Sequence, residues 1–227
     1  MTKSIEPINS GEFDMAQKTD LLLPVLKGQP VIPVILVHDV AHAVPLARAL
    51  AAGGLPAIEI TLRTPAALDA IRAVANEVPE AIVGAGTILN ARQYEEASAA
   101  GSRFIVSPGA TPQLLKAASA GKVPLLPGAI TPAEIMALRE EGYTMLKFFP
   151  AEQAGGASFL KSLSSPFAGI QFCPTGGIGA GNAKTYLDLP NVVCIGGSWV
   201  APENLVQAGK WDDITKLAAE AAKLAKA

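Results

Sequence analysis

Charge is scarce in this chain: lysine, arginine, aspartate and glutamate make up 17% of its 227 residues and leave a net charge of −2. With no basic run or stripe to neutralise successive phosphates, nucleic acid is not expected as a partner, whereas a small anion needs only a local site. Cysteine is nearly missing. Cys173 and Cys194 lie in strand-like apolar runs outside any CxxC or Cys/His spacing, so they are expected to be reduced packing residues, with no disulfide framework and no thiolate metal site. No apolar stretch approaches the ~18–20 residues of a membrane span, and Met1 to Ser10 lacks the apolar centre of a signal peptide. A cytoplasmic protein without membrane partners is expected. The only histidines are His38 and His42. Their i,i+4 spacing suits a metal on a helix face, yet His38 falls at a strand end and no carboxylate cluster joins the pair. Helix capping and surface packing account for them, and neither a metal nor a cofactor is expected.

Apolar residues, by contrast, make up half the chain, as in a well-packed globular protein large enough for one extensive core. From Val31 onward, short β-rich runs alternate with alanine-rich helical stretches. The runs are Val31–Val37, Ala57–Arg63, Ala81–Ile88, Phe104–Ala110, Pro124–Ile130, Met145–Ala151, Gln171–Ile178 and Val192–Val200. Their spacing of roughly 20 to 26 residues is that of a parallel strand plus a crossover helix. Thr64-Pro65, Thr111-Pro112 and Thr131-Pro132 read as helix caps followed by a proline in the first turn, and Glu134 completes a capping box with Thr131. Gly53-Gly54, Gly101, Gly121 and Gly142 read as helix ends. Pro45 falls inside the first helical stretch after Asp39 and predicts a kink.

Eight such units, with strands apolar on both faces, predict an α/β chain folded as a (β/α)8 TIM barrel. A doubly wound open sheet is the competing arrangement. One domain is expected over 1–227: an N-terminal helical extension over 1–30, with the additional helix at Ile8–Gly28 covering the barrel bottom, barrel strands and helices over 31–200, and a closing helix over 201–227.

One lysine is out of place. Lys147 interrupts the run Met145-Leu146-Lys147-Phe148-Phe149-Pro150. In general, a lysine held in an apolar strand loses hydration, which favours its free amine, and buried amines of this kind form Schiff bases with ketones. Residues alternate faces along a strand, so Ala57, Glu59, Thr61 and Arg63 share one side while Lys147 shares a side with Phe149. Glu59, Arg63 and Lys147 are therefore expected to project into the barrel together. A buried Glu59–Lys147 salt bridge is the competing reading, but it would be a weak source of stability. Arg63 offers a fork of donors for a carboxylate. Thr87, after Gly84 and Gly86, offers a hydroxyl or else caps the helix before Asn90. Thr175-Gly176-Gly177-Ile178-Gly179 and Gly196-Gly197-Ser198 end the last two strands, where glycines let amides approach a ligand and a following helix start favours an anion.

Together these motifs resemble the KDPG/4-hydroxy-2-oxoglutarate aldolase family. They are Ile58-Glu59-Ile60-Thr61-Leu62-Arg63-Thr64, Val83-Gly84-Ala85-Gly86-Thr87, Phe104-Ile105-Val106-Ser107-Pro108-Gly109, Leu126-Pro127-Gly128, Leu146-Lys147-Phe148-Phe149-Pro150-Ala151-Glu152, Pro174-Thr175-Gly176-Gly177 and Gly196-Gly197-Ser198. The resemblance spans Val31 to Pro202 and implies a class I aldolase. The implied reaction cleaves 2-dehydro-3-deoxy-6-phosphogluconate to pyruvate and glyceraldehyde 3-phosphate in the Entner–Doudoroff pathway. The galactonate epimer or 4-hydroxy-2-oxoglutarate is the alternative substrate. Lys147 is implied as the Schiff-base residue and Glu59 as the proton-transferring carboxylate. Arg63 and Thr87 would hold the pyruvate carboxylate, Phe149 would pack against the site, and Thr175 would contact the substrate's hydroxyl region. Gly176, Gly177, Gly197 and Ser198 would bind the phosphate, and Pro108 would line the site. A homotrimer is also implied. Outside the resemblance, an epimerase on the same barrel would use acid–base residues without an imine, and an idle phosphate-binding protein would release no pyruvate.

Overall fold

The computed structural model describes residues 17–224. The part of the Ile8–Gly28 helix before residue 17 and the tail from residue 225 lie outside them. Within them, helix α1 (Thr19–Lys27) precedes β1 (Val31–Ile35), a 3-10 turn (Val40–His42), α2 (Ala43–Ala52), β2 (Ala57–Thr61), α3 (Ala67–Glu77) and β3 (Ile82–Gly86). Then follow α4 (Ala91–Ala99), β4 (Ile105–Val106), α5 (Pro112–Ala120), β5 (Leu125–Leu126), α6 (Pro132–Glu140) and β6 (Met145–Phe148). The chain finishes through α7 (Gly156–Ser162), β7 (Gln171–Pro174), α8 (Ala183–Leu187), β8 (Ile195–Gly197), α9 (Glu203–Gln207) and α10 (Trp211–Ala222).

The strands form a curled parallel sheet related to the TIM barrel. Six of them ladder in the order β5-β4-β3-β2-β1-β8, and β6 pairs with β7. Single bridges link the two groups: Gly128 with Lys147, Phe172 with Val192, and Thr175 with Gly196. One continuous eight-stranded ladder, as the sequence suggests, is not formed. Proline is the reason on one side, because Pro127 at the end of β5 faces β6, accepting from Lys147 N at 2.8 Å, and has no amide to donate in return. At the lower end of that gap the Gln17 side chain replaces the missing rungs. Its carbonyl accepts from the Thr144 and Met145 amides at 2.9 Å each, and its amide donates to the Met145 carbonyl. Gln29 does the same between β1 and β2, accepting from Ala57 N at 2.7 Å and donating to Ala57 O at 2.8 Å.

Strand alternation divides the apolar residues into two cores. Ile58, Ile60, Val83, Ile105, Leu146 and Phe172 face outward against the helices. Ala57, Phe104, Val106, Leu126, Met145, Cys173 and Cys194 face inward and meet Leu22, Val25 and Leu26 of α1. Those three recur at i, i+3 and i+4, one helical face, so α1 lays one face against the inward side of the curled sheet. Burial of each such side chain is worth about 1.5–3 kcal/mol. Cys173 and Cys194 place their sulfurs 3.5 Å apart without a disulfide.

Several local expectations need correction. Thr111 and Thr131 cap their helices, the latter with the Glu134 capping box, but Thr64 does not: its hydroxyl donates to Val37 O at 2.5 Å, and α3 starts later, at Ala67. Pro45 falls in the first turn of α2, where its missing N–H has no intrahelical role, so the reason for a kink lapses. Gly121 is extended at φ −77°, ψ 176° instead of left-handed. The closing helix is two helices, broken at Gly209 with φ +62°. The second of them, α10, lies so close to α2 that a Cβ on Gly53 would stand 2.7 Å from Thr215 O. No helix among the described residues is long and apolar enough to cross a membrane.

Candidate active site

Above the apolar lower core, the inward positions turn polar. The face that carries Met145 on β6 continues to Lys147, and the face of Ala57 on β2 continues to Glu59 and Thr61. Lys147 Nζ lies 3.1 Å from Glu59 Oε1, with both residues buried, at 6% and 3% exposure. The two strands face each other across the interior, so the pair forms only because the sheet curls. Gly86 gives the carboxylate room: a Cβ there would stand 2.6 Å from both Glu59 Cγ and Cδ and closer still to Oε1. Phe149 sits at the site's edge, its ring centroid 5.4 Å from Lys147 Nζ, and is 36% exposed.

The other expected residues gather at the strand ends. Thr61 Oγ1 donates to Ile35 O at 2.9 Å and accepts from Arg63 Nε at 3.1 Å. The guanidinium, just past β2 and exposed, is thereby held by one nitrogen. Among the described residues it has no carboxylate within ion-pair distance. Thr87 follows β3 at φ +59°, a left-handed conformation that is costly for a β-branched residue. It does not cap α4, since the Asn90 side chain accepts from Gln93 N at 2.9 Å and does so itself. Pro108 is half-buried at the end of β4, and its carbonyl crowds Gly128, whose bridge partner is Lys147.

Thr175 is 6% exposed and its hydroxyl has no partner among the described residues. It fills the space over Gly196, where a Cβ would collide with its Oγ1. Gly176 and Gly177 are left-handed, at φ +104° and +73°, and Gly197 ends β8 before the exposed Ser198. The two glycine pairs are thus neighbours across the Thr175–Gly196 bridge. The expected helix starts behind them are not there, because α8 begins at Ala183 and α9 at Glu203. The interval after Gly177 is a loop in which Asn182 Oδ1 accepts from Gly179 N at 2.8 Å and Nδ2 donates to Gly177 O at 3.1 Å. An anion there would meet loop amides and hydroxyls. His38 and His42 lie elsewhere, His42 edge-on to Trp211, and no group of three metal-ligating side chains occurs among the described residues.

Sequence reading missed three contributors. Gly86, the seat of the Glu59 carboxylate, was visible only as part of a Gly-Ala-Gly run. Thr61 shares the Glu59 face, and that parity was its one signal. Glu152 carries no local signal. Its side chain accepts from the Tyr186 hydroxyl, 34 residues on, and Tyr186's phenol is pushed up from its ordinary range by burial first and by this carboxylate second.

A buried amine beside a carboxylate, an unpaired guanidinium at the mouth and a glycine-lined cradle opposite can receive a keto acid with an anionic tail. Residues 23–217 match the family model described as KDPG and KHG aldolase. A 2-dehydro-3-deoxy-phosphogluconate aldolase of Pseudoalteromonas atlantica is 55% identical over 197 residues, covering 87% of this chain and 92% of that one. A KHG/KDPG aldolase of Escherichia coli is 53% identical over 202 residues, covering 89% and 95%. The crystal structure of a KDPG aldolase from Legionella pneumophila, with pyruvate captured as a covalent carbinolamine, superposes with a TM-score of 0.86 at 44% identity and covers 87% of this chain and 96% of that one.

Proposed function

The chain belongs to the KDPG and KHG aldolase family, and we propose that its reaction runs through a Schiff base on Lys147. That reaction is the cleavage of 2-dehydro-3-deoxy-6-phosphogluconate to pyruvate and glyceraldehyde 3-phosphate in the Entner–Doudoroff pathway. The observation that carries the mechanism is the buried 3.1 Å pair of Lys147 Nζ and Glu59 Oε1.

Glu59 takes a proton from the lysine, and the free amine attacks the ketone carbon to give a carbinolamine. Glu59 returns the proton to the departing hydroxyl, so water leaves and an iminium remains. Glu59, again a carboxylate, takes the proton of the fourth-carbon hydroxyl as the bond between the third and fourth carbons breaks and its electrons flow into the iminium. Glyceraldehyde 3-phosphate departs and an enamine stays on Lys147. Protonation of its terminal carbon by Glu59, then hydrolysis, frees pyruvate and the amine. Arg63 and Thr87 hold the keto acid's carboxylate, and Phe149 and Pro108 wall the reacting carbons. Thr175, whose hydroxyl is unpaired and buried, takes the sugar hydroxyl region. Gly176, Gly177, Gly197 and Ser198 hold the phosphate.

Borohydride in the presence of pyruvate should leave a pyruvate-derived mass on Lys147 and on no other lysine. A folded protein without that adduct would sink the mechanism and favour acid–base chemistry of the epimerase kind. A second substrate, 4-hydroxy-2-oxoglutarate, is favoured by the dual name of the Escherichia coli relative. Comparing kcat/KM for it, for the gluconate compound and for the galactonate epimer ranks the three. We read the chain as a single barrel domain whose ring closes through the three single bridges, working in the cytoplasm as a homotrimer. Light scattering tests the last point.

A further inference from the structure

The loop after β6 is tied at three places to the chain that follows β7, twice to its loop and once to α8. Ala151 N donates to Thr175 O at 2.8 Å, and Glu152 N donates to Gly176 O at 3.1 Å. The third link is between side chains: the hydroxyl of Tyr186, buried at 1% exposure in α8, donates to Glu152 Oε1. Glu152 is therefore held at both ends. Its middle lies against Gly177, because a Cβ there would stand 2.6 Å from Glu152 Cγ and 2.7 Å from Cβ. The methylenes of Glu152 form the floor under Gly177, and Tyr186 fixes that floor from behind. The carboxylate is thereby turned toward the phenol of α8 and tied there. An untied carboxylate could swing across the glycines and repel an arriving phosphate, since like charges in a partly buried site are strongly unfavourable.

We propose that Glu152 and Tyr186 form a latch that positions the Gly176-Gly177 loop for the substrate's phosphate, making both positioning residues that act through the glycines. The proposal rests on the assignment of that loop to the phosphate. Its selectivity follows from the layout, because Lys147 and Glu59 are held by their own strands and by Gly86, and the latch touches neither.

Tyr186→Phe removes one hydroxyl and keeps the buried ring. Two readouts separate its effects. Cleavage of 2-dehydro-3-deoxy-6-phosphogluconate needs the phosphate loop. Exchange of pyruvate's methyl protons with solvent deuterium needs only imine and enamine formation at Lys147. Loss of one charge-assisted hydrogen bond should raise KM for the phosphorylated substrate roughly fivefold to tenfold, with kcat held within about twofold. Pyruvate exchange should stay within about twofold of wild type. Glu152→Ala should repeat the pattern, and Glu152→Gln, which keeps an acceptor for the phenol, should restore most of the loss. An unchanged KM overturns the latch, as does a parallel fall in exchange, which would mark the pair as ordinary scaffolding. If Tyr186→Phe does not fold, the Glu152 variants give the same decision. If the wild type cleaves the unphosphorylated 2-dehydro-3-deoxygluconate as well as the phosphorylated compound, the phosphate-loop assignment itself fails, and the latch fails with it for that separate reason.

Discussion

Gly86→Ala tests the active-site geometry through a single methyl group. The residue ends a β-strand, so alanine brings no backbone strain, and the whole effect comes from where its Cβ would go. That position is 2.6 Å from Glu59 Cγ and Cδ, so both atoms must retreat by about 0.8 Å to regain ordinary contact at 3.4 Å, and Oε1 must move further. Glu59 is buried and the new methyl comes from β3, so the carboxylate retreats away from β3 and the 3.1 Å contact with Lys147 Nζ is disturbed. Misplacement of a catalytic group by about 1 Å costs on the order of 10²-fold, and complete loss of general acid–base help costs about 10²–10⁴. A fall in kcat of roughly 100-fold is therefore expected, measured as pyruvate release under saturating substrate. Borohydride trapping should slow in proportion, because the proton steps of imine formation use the same carboxylate. Thermal unfolding of the same preparation separates this from collapse of the fold: overpacking costs about 1–3 kcal/mol, too little to unfold a barrel with two extensive cores. A folded variant with kcat within threefold of wild type would refute the assignment of Glu59 as the proton carrier.

Gln17→Ala should destabilise the fold without touching the chemistry. It strands the half-buried Thr144 amide and the buried Met145 amide and carbonyl. At about 1–3 kcal/mol for an orphaned buried group with partial relief by water, a loss of around 3 kcal/mol in denaturant melts is expected, with kcat unchanged; a loss under 1 kcal/mol would mean water replaces the side chain freely. All three tyrosines, Tyr94, Tyr143 and Tyr186, have phenols pushed up chiefly by burial. Above pH 10 the unfolded chain therefore loses phenolic protons that the folded chain keeps, so stability is full below pH 10 and falls as pH rises further, by up to about 4 kcal/mol per pH unit for three groups. Phenolate absorbance that appears near pH 10 while the protein is still folded would contradict this. Replacing the ion pair with apolar residues, Lys147→Met with Glu59→Leu, should abolish turnover yet leave stability equal or raised by up to about 4 kcal/mol, whereas Glu59→Leu alone should destabilise by about 3–5 kcal/mol because the ammonium is left buried and unpaired. Chemical denaturation of the two variants beside wild type checks the order.

Much of this was legible in the sequence because it depends on period. Alternation along β2 and β6 put Glu59 and Lys147 on inward faces, and the i, i+3, i+4 spacing of Leu22, Val25 and Leu26 gave α1 a face to seal the barrel bottom. What period does not fix is where a ladder stops. The β-rich run Ala57–Arg63 leaves the sheet after Thr61, and the run Phe104–Ala110 yields only Ile105–Val106. The residues by which the runs overshoot are those assigned to the site: Arg63, Thr87, Pro108, Phe149, Thr175 and Ser198 all lie just past a strand end. Pairing fades there without stopping at once: Arg63 N turns back to Thr61 O at 2.8 Å, whereas Thr175 N still donates to Phe148 O at 2.9 Å. Contacts between distant segments were also hidden. The Thr64 hydroxyl goes to Val37, and Glu152 meets Tyr186 across 34 residues, and no local spacing encodes either.

The inward side of the curled sheet is one column of side chains with two different environments. Its lower half, from Leu22 and Leu26 up to Met145, is apolar and closed by α1, the arrangement that maximises buried area. Two residues beyond Met145 on β6, level with Cys173 of β7, stands Lys147. The register leaves no other place for it, because a slip of one residue would turn the lysine into the helix layer and Leu146 into the site. An ammonium and a carboxylate in that position contribute little net stability, so the lower core and the outer helix layer must carry the fold, and the upper column is where the proposed chemistry is placed. That division explains why a methyl group at Gly86 or a lost hydroxyl at Tyr186 is expected to register in turnover or in KM, whereas the loss of Gln17 at the opposite end is expected to register in stability alone.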